Sequence, residues 1–371
     1  MLSLLLLGIA LFWVAVLVKV ERGKADVRWR LGPQAPVQTD LPRLAVVIPA
    51  RDEARNIAAC VAAVRKSDHP SIDLLVFDDG SIDDTVSLAE SAGARTIRGE
   101  GELPVGWKGK PWALQRATAT VDADWILFLD ADVRITPEAA SRIHTYALGE
   151  QVDLLSGLGR LTMGSFWEKV IQPSVGGLIL GGNAMAVVND PAHPEKAIAN
   201  GQMILVRRTA YQSVGGHAAV KDNILDDIGL ARAFTAAGLK VRCLFMRDLF
   251  SCRMYAGLSE LWLGWTKNLF AGMHYKVSAV IAIVLLLLVD FLLPYLLLLV
   301  AILTRDGALF AASLATVVLM QGVRLRLDLL FGQSLPFGLL QPLGAAMLIG
   351  LVIDSARRTR TGQVRWKRRS Y

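Results

Sequence analysis

Trp125-Ile126-Leu127-Phe128-Leu129-Asp130-Ala131-Asp132 is the stretch that decides the fold. Five apolar residues in a row, too few for a helix of their own, read as a buried strand, and the acids come where the strand ends. The same pattern recurs upstream. Leu44 to Ile48 is a short β-branched run ended by Pro49, and Ile72 to Phe77 runs into Asp78-Asp79-Gly80-Ser81. Ala94 to Ile97 makes a further strand. Between the strands the spacing turns helical: Glu53 to Lys66 (Ile57, Val61, Val64), Asp83 to Ala92, Lys110 to Val121, and Pro137 to Leu148 with its proline in the first turn. Alternating strand and helix predicts an α/β fold with a parallel sheet covered on both faces. Ligands of such sheets bind at the carboxyl ends of the strands, which is where both acidic clusters fall.

Past Val152 the pattern loosens. Phe166 to Val188 is apolar and broken by glycines, and is expected to lie against protein or a membrane surface. Met203 to Val206 reads as a strand and Leu225 to Ala237 as a helix. Leu258 to Met273, with Trp262, Trp265 and Phe270, suits an interfacial helix.

Of the 371 residues 53% are hydrophobic, and the excess sits at the two ends. Met1 to Val18 is uncharged and close to the roughly 20 residues of a membrane helix. The positive charge follows it (Lys19, Arg22, Lys24, Arg28, Arg30), the reverse of a cleaved signal peptide, so residues 1–20 read as an anchor with the next segment cytoplasmic. Residues 21–42 form a polar linker, 43–255 the α/β domain, and 256–276 the interfacial helix. The stretch 277–354 is a membrane region of three or four segments: Val277 to Leu303, in which Asp290 and Pro294 allow a break into a re-entrant hairpin, then Gly307 to Val323 and Leu335 to Ile353.

The formal net charge is +7, and the tail 355–371 holds Arg357, Arg358, Arg360, Arg365, Lys367, Arg368 and Arg369 with no acid. So basic a tail beside a membrane segment reads as cytoplasmic and drawn to anionic lipid. No base-reading motif accompanies it, which argues against a nucleic-acid partner. The three cysteines fit no metal spacing, and their odd number suits a reducing compartment.

Asp130 and Asp132 are two apart at a strand end, so both carboxylates can share a face. Close carboxylates repel unless a cation lies between them, and a hard divalent ion that also bridges a diphosphate fits. The plainer reading is a turn or helix cap, since Thr136-Pro137 follows. Asp78-Asp79-Gly80-Ser81 is likewise either a turn or a carboxylate pair for the N–H and hydroxyl groups of a base and ribose. Asp226-Asp227 opens a helix, either complementing its dipole or serving as a general base; spacing does not choose between the two.

Taken in order, Val47-Ile48-Pro49-Ala50-Arg51-Asp52-Glu53, Asp78-Asp79-Gly80-Ser81, Asp130-Ala131-Asp132 and Asp226-Asp227 resemble the signature of family 2 inverting glycosyltransferases with the GT-A fold, over roughly residues 43 to 275. The loop Gly106-Trp107-Lys108-Gly109-Lys110-Pro111-Trp112-Ala113, the Gly215-Gly216-His217 step and the closing Val364 to Tyr371 narrow the likeness to membrane enzymes that glycosylate hopanoids, carotenoids and ceramides. The resemblance implies a GT-A, Rossmann-like, mostly parallel catalytic domain flanked by N-terminal and C-terminal transmembrane helices. It implies that Pro49, Ala50, Glu53 and Asp79 line the nucleoside pocket, with Asp78 as alternate to Asp79. By the same likeness Lys110 faces the donor diphosphate, and Asp130 contacts donor sugar or ribose. Asp132, with Asp130 beside it, ligates Mg²⁺ or Mn²⁺, and Asp227 is the base with Asp226 as runner-up.

One departure stands out. Where many members carry Gln-x-x-Arg-Trp, this chain reads Leu263-Gly264-Trp265-Thr266-Lys267-Asn268. Lys267 then replaces the arginine toward the donor phosphates as a point charge without the fork, and Trp265 stacks on the acceptor. The alternative for both is an interfacial helix with a snorkelling lysine.

The expected activity is transfer of one sugar from a nucleotide-sugar, a UDP-hexose, to a lipid or lipid-linked hydroxyl. The expected place is the inner (plasma) membrane, multi-pass, with the catalytic domain cytoplasmic. A polyprenyl-phosphate glycosyltransferase and a processive polysaccharide synthase are the neighbouring readings, and a non-catalytic, membrane-tethered nucleotide-binding protein the distant one.

Overall fold

A computed structural model describes residues 2–25, 27–182 and 184–370. Met1 of the expected anchor, Asp26 of the linker, Asn183 of the glycine-rich stretch and Tyr371 of the closing motif lie outside the described residues. The chain divides into two compact units, one of residues 28–162 and 183–254 and the other of 1–27, 163–182 and 255–371.

The first unit is built on ten strands: β1 Leu44–Ala50, β2 Ile72–Asp78, β3 Arg95–Arg98, β4 Trp125–Leu129, β5 Val133–Ile135, β6 Leu154–Leu158, β7 Arg160–Leu161, β8 Met203–Arg207, β9 Val241–Phe245 and β10 Phe250–Cys252. Seven form one sheet in the order β3-β2-β1-β4-β8-β6-β9. The pairs β1–β2, β1–β4, β2–β3 and β6–β9 are parallel, while β8 runs antiparallel to both β4 and β6. The sheet is thus mostly parallel with a single reversed strand inside it.

Alternation along each strand feeds two cores. Leu44, Val46 and Ile48 of β1 and Trp125, Leu127 and Leu129 of β4 join one, on the face where Ile57, Val61 and Val64 of the helix Ile57–Arg65 pack. Ala45 and Val47, with Ile126 and Phe128, join the other with Leu114, Leu230 and Phe234. Burial on both faces is why these strands read as unbroken apolar runs. Pro49 does not end β1: the strand continues through Ala50 in register with Phe77 and Asp78.

A second sheet of β5-β10-β7 lies beyond β4, with Cys252 opposite Val133 and Ser251 beside Arg160. Of the strands in these sheets, β5, β6, β7, β9 and β10 are absent from the sequence reading. They are short, and several carry polar residues or glycine, so their pattern is weak.

In the second unit, among the described residues, three helices are long and apolar enough to cross a membrane: Leu4–Arg22, Val277–Thr304 and Gly307–Leu329. The break allowed at Asp290 and Pro294 is a π-turn, Leu287–Leu292, inside a continuous helical path, and not a re-entrant hairpin. The expected Leu335 to Ile353 segment is a short turn of helix, Leu335–Gly338, followed by Gln341–Arg360, which is long enough to cross a membrane but is not among the helices that are also apolar enough. Gln341–Arg360 instead buries Gly344, Leu348 and Leu351; a methyl group on Gly344 would meet the Val170 carbonyl oxygen at 2.7 Å, so this helix and Phe166–Gly182 are in backbone contact. Such closeness is what small residues permit.

Candidate active site

The carboxyl ends of β1, β2 and β4 bring three loops to one edge of the sheet. Asp79 N–H donates to the Ala50 carbonyl (2.8 Å), and the Arg51 guanidinium donates to the Asp79 carbonyl (2.5 Å). Asp52, in the left-handed region at φ 51°, receives Ile82 N–H on its carboxylate, and its own N–H donates to Ser81 Oγ. Gly80, at φ 80°, makes the turn that a side chain would strain. Asp78 is buried and accepts Ser81 N–H, so it holds the turn, whereas Asp79 lies beyond it in the chain. Glu53 accepts from Asn56 Nδ2 (2.9 Å), and its N–H donates to Thr85 Oγ1. Pro49, Ala50, Glu53, Asp78 and Asp79 therefore belong to one hydrogen-bonded pair of loops.

The second group is tighter. Lys110, in the first turn of the helix Gly109–Thr118, places Nζ 2.5 Å from Asp130 Oδ1 and 3.2 Å from the Gly201 carbonyl oxygen. The side chains of Lys110 and Asp130 are 34% and 30% exposed. Gly201 N–H donates to Asp227 Oδ2 (2.7 Å), and Ile228 N–H donates to Asp227 Oδ1 (2.8 Å). Lys110, with Asp130 paired to it, and Asp227 thus meet at the backbone of one residue, Gly201. Asp226 starts the same helix, Asp226–Ala236, and adds its charge to the field at Lys110.

The electrostatics follow from this crowding. Burial pulls the Lys110 ammonium toward neutrality, but the charges of Asp130, Asp226 and Asp227 outweigh it, so its pKa is raised. Asp227 is pushed above the ordinary carboxylate range by burial, against the opposing pull of Lys110 and of the two N–H donors. Asp132 is raised to about 7 by burial, then by the charges of Asp130 and Glu53, with the Cys252 thiol hydrogen-bonded to it acting the other way. Its Oδ1 is buried without a hydrogen-bond partner. A carboxylate oxygen orphaned beside two other acids is what a cation would satisfy, so Asp132 fits a metal ligand. Among the described residues no three acids, histidines or cysteines converge as a closed metal cage. An ion here would complete its shell with ligand oxygens and water, as Mg²⁺ commonly does.

Trp265 and Lys267 lie in the second unit, on the helix Leu258–Gly272. Trp265 is buried, its indole N–H donates to Gln172 Oε1 (2.7 Å), and Tyr255 meets it edge-on. Lys267 Nζ lies 5.7 Å from the centroid of the Trp366 ring. Both side chains are engaged within their own unit. His217, of the Gly215-Gly216-His217 step, is buried against Tyr211, whose hydroxyl is 2.7 Å from its Nδ1, so the step is a packing feature of the catalytic unit.

Sequence reasoning missed the turn Asn200-Gly201-Gln202. Its only signal is Asn-Gly, which marks a turn and says nothing about which side chains the turn will meet.

Residues 45–214 match the family model described as glycosyl transferase family 2. The 4,4'-diaponeurosporenoate glycosyltransferase of Staphylococcus aureus (strain USA300) is 28% identical over 232 residues, 62% of this chain and 61% of that protein. The alignment thus spans about three fifths of the relative's length. The solved mannosyltransferase PcManGT from Pyrobaculum calidifontis, in complex with GDP-Man and Mn²⁺, superposes with a TM-score of 0.52 at 17% identity, covering 96% of this chain and 99% of that one. Residues 45–214 are thus similar to family 2 glycosyltransferases, and the fold is of the GT-A type.

Proposed function

We propose that this protein is a membrane glycosyltransferase that moves one sugar from a nucleotide-sugar, a UDP-hexose, to a hydroxyl of a lipid or lipid-linked acceptor with inversion. The observation that carries the reading is the junction of Lys110, with Asp130 paired to it, and Asp227 at the Gly201 backbone at the edge of the sheet. A carboxylate with a raised pKa is suited to take a proton, and Asp227, raised by burial, is the base. Asp226, its neighbour in the first helical turn, is the alternate. The ammonium of Lys110 is placed to leave Asp130 for a diphosphate. Pro49, Ala50, Glu53 and Asp79 hold the nucleoside, and Asp130 the ribose or sugar.

Asp132, with Asp130 beside it, would hold Mg²⁺ or Mn²⁺, which when bound offsets charge on the departing diphosphate. The Mn²⁺ and GDP-Man of PcManGT and the carotenoid named for the staphylococcal relative support metal, nucleotide-sugar and lipid in turn. Lys267 is assigned to donor phosphate and Trp265 to the acceptor side, each a role beyond the contact it makes in its own unit.

The membrane reading rests on the three apolar helices. Basic residues follow the first, so by the positive-inside rule the catalytic domain is cytoplasmic. Two later crossings return the chain to the same side, which puts the basic tail in the cytoplasm too. The charge rule and the count of helices then agree.

The test is to express the full chain in membranes and supply radiolabelled UDP-glucose or GDP-mannose, Mn²⁺ and a total lipid extract. Label in the organic phase, on a product larger by one sugar, is expected. A polymer would favour a processive synthase, and no transfer with any nucleotide-sugar would end the reading.

A further inference from the structure

Three elements of the site hang on one turn that none of their sequence motifs contains. Because β8 is the reversed strand, its amino end lies at the edge where β4 ends, with Met203 opposite Leu129. The turn Asn200-Gly201-Gln202 that leads into β8 is thereby placed among the acids. Gln202 presents its carbonyl oxygen to Asp130 N–H at 3.0 Å. Gly201 presents its carbonyl to Lys110 Nζ and its N–H to Asp227 Oδ2. Asn200 fixes the turn from below: its Nδ2 donates to the Gly157 carbonyl and to Gln202 Oε1 (3.0 Å each), and its N–H donates to Ser156 Oγ (2.7 Å).

Gly201 cannot carry a side chain here without moving its neighbours. A methyl group on its Cα would lie 3.1 Å from Asp227 Oδ2 and 3.1 Å from Lys110 Nζ. Its φ lies outside the left-handed region, so backbone freedom does not explain the glycine. The glycine suits the approach of two charged side chains to its backbone, and a methyl group there would push one or both back by a few tenths of an ångström.

We propose that Gly201 is a positioning residue for the reaction: its backbone sets the place of the base Asp227 and of Lys110 relative to each other and to Asp130, and Asn200 locks that backbone to β6. This rests on reading Asp227 as the base. Backbone groups suit the task because the Gly201 N–H and carbonyl, in the two peptide units that meet at its Cα, have no side-chain rotamer to lose, and displacing a positioned base is costly.

The experiment uses the full chain in membranes, with UDP-glucose or GDP-mannose, Mn²⁺ and a total lipid extract. Gly201→Ala is expected to lower kcat several-fold to about 10-fold, with a smaller rise in donor KM, because Lys110 shifts with the base while the nucleoside loops are untouched. In an Asp227→Glu background, whose carboxylate is already displaced, the same substitution is expected to add less than about twofold, since residues that act through one another are not additive. Asn200→Asp keeps the acceptor for Gln202 N–H but loses the donor to Gly157, and is expected to lower kcat several-fold with KM held.

A full multiplicative loss in the Asp227→Glu background would overturn the proposal, as would a rise in KM with kcat unchanged. Retained binding of UDP or GDP with Mn²⁺ shows that the Gly201→Ala site is folded; if that binding is lost, the Asn200→Asp result decides. An inactive wild type would sink the functional reading. An active wild type with a normal Gly201→Ala variant would sink this inference alone.

Discussion

Asp227→Asn separates a catalytic carboxylate from one that merely complements a helix. In the native site both oxygens accept backbone N–H groups, Gly201 at 2.7 Å and Ile228 at 2.8 Å. Asparagine fills the same volume, but in either amide orientation its NH₂ faces one of those N–H donors. The local cost is about 1–3 kcal/mol for a donor left unmatched, with the lower part of the range expected for a half-buried group. Lys110 keeps Asp130, so the diphosphate end of the site retains its cation. Loss of a general base lowers the rate by about 10²–10⁴, which is about 2.7–5.4 kcal/mol of barrier. Transfer should therefore fall by that factor while binding of the nucleoside diphosphate with Mn²⁺ stays within a few-fold. The assay is label transfer under donor saturation beside calorimetric binding of UDP or GDP. A kcat within threefold of wild type would refute the argument and return Asp227 to the helix-dipole reading.

Other consequences can be measured on the same preparation. A chelator should stop transfer and Mn²⁺ or Mg²⁺ restore it, and the apparent metal affinity should weaken as pH falls below about 7, where Asp132 takes up a proton; in Asp132→Asn that pH dependence should be absent, and a metal titration at pH 6 and pH 8 checks it. His69 and His144 share a 3.0 Å Nε2···Nδ1 contact in the core; burial, then the neighbouring His69, lowers His144 to about 3. A histidine lowered in the fold favours the folded state above its unfolded pKa of about 6.5 and loses that contribution as pH falls toward 3, so denaturation between pH 6.5 and 4 should steepen by up to about 1.4 kcal/mol per pH unit, and His144→Gln should flatten it. In sealed inverted vesicles the tail from Arg357 onward should be open to trypsin; protection there would overturn the cytoplasmic assignment.

The sequence by itself determined the layers and the strand-end acids. Short apolar runs such as Trp125–Leu129, set between helical segments, read as strands buried on both faces, and acids that follow the strands of a parallel sheet fall at its carboxyl edge, where ligands bind. The apolar helix Leu4–Arg22, long enough to cross a membrane, is equally legible, since length and apolarity are local properties. At the carboxyl end the helix begins only at Gln341 and runs on through Asp354, Arg357, Arg358 and Arg360, and it buries Gly344, Leu348 and Leu351 in protein contacts that the apolar run by itself does not reveal. Asp132 was legible as a member of a carboxylate pair, but its orphaned oxygen was not, because solvation depends on what Cys252, Asp130 and Glu53 bring near it.

Only the tertiary structure decided which acid meets the turn before β8. Local spacing does not separate Asp226 from Asp227; the reversal of β8, a matter of strand order, puts the Gly201 N–H against Asp227. The direction of one strand is a global property, settled by packing on both faces of the sheet, and no local pattern in Asn200-Gly201-Gln202 records it.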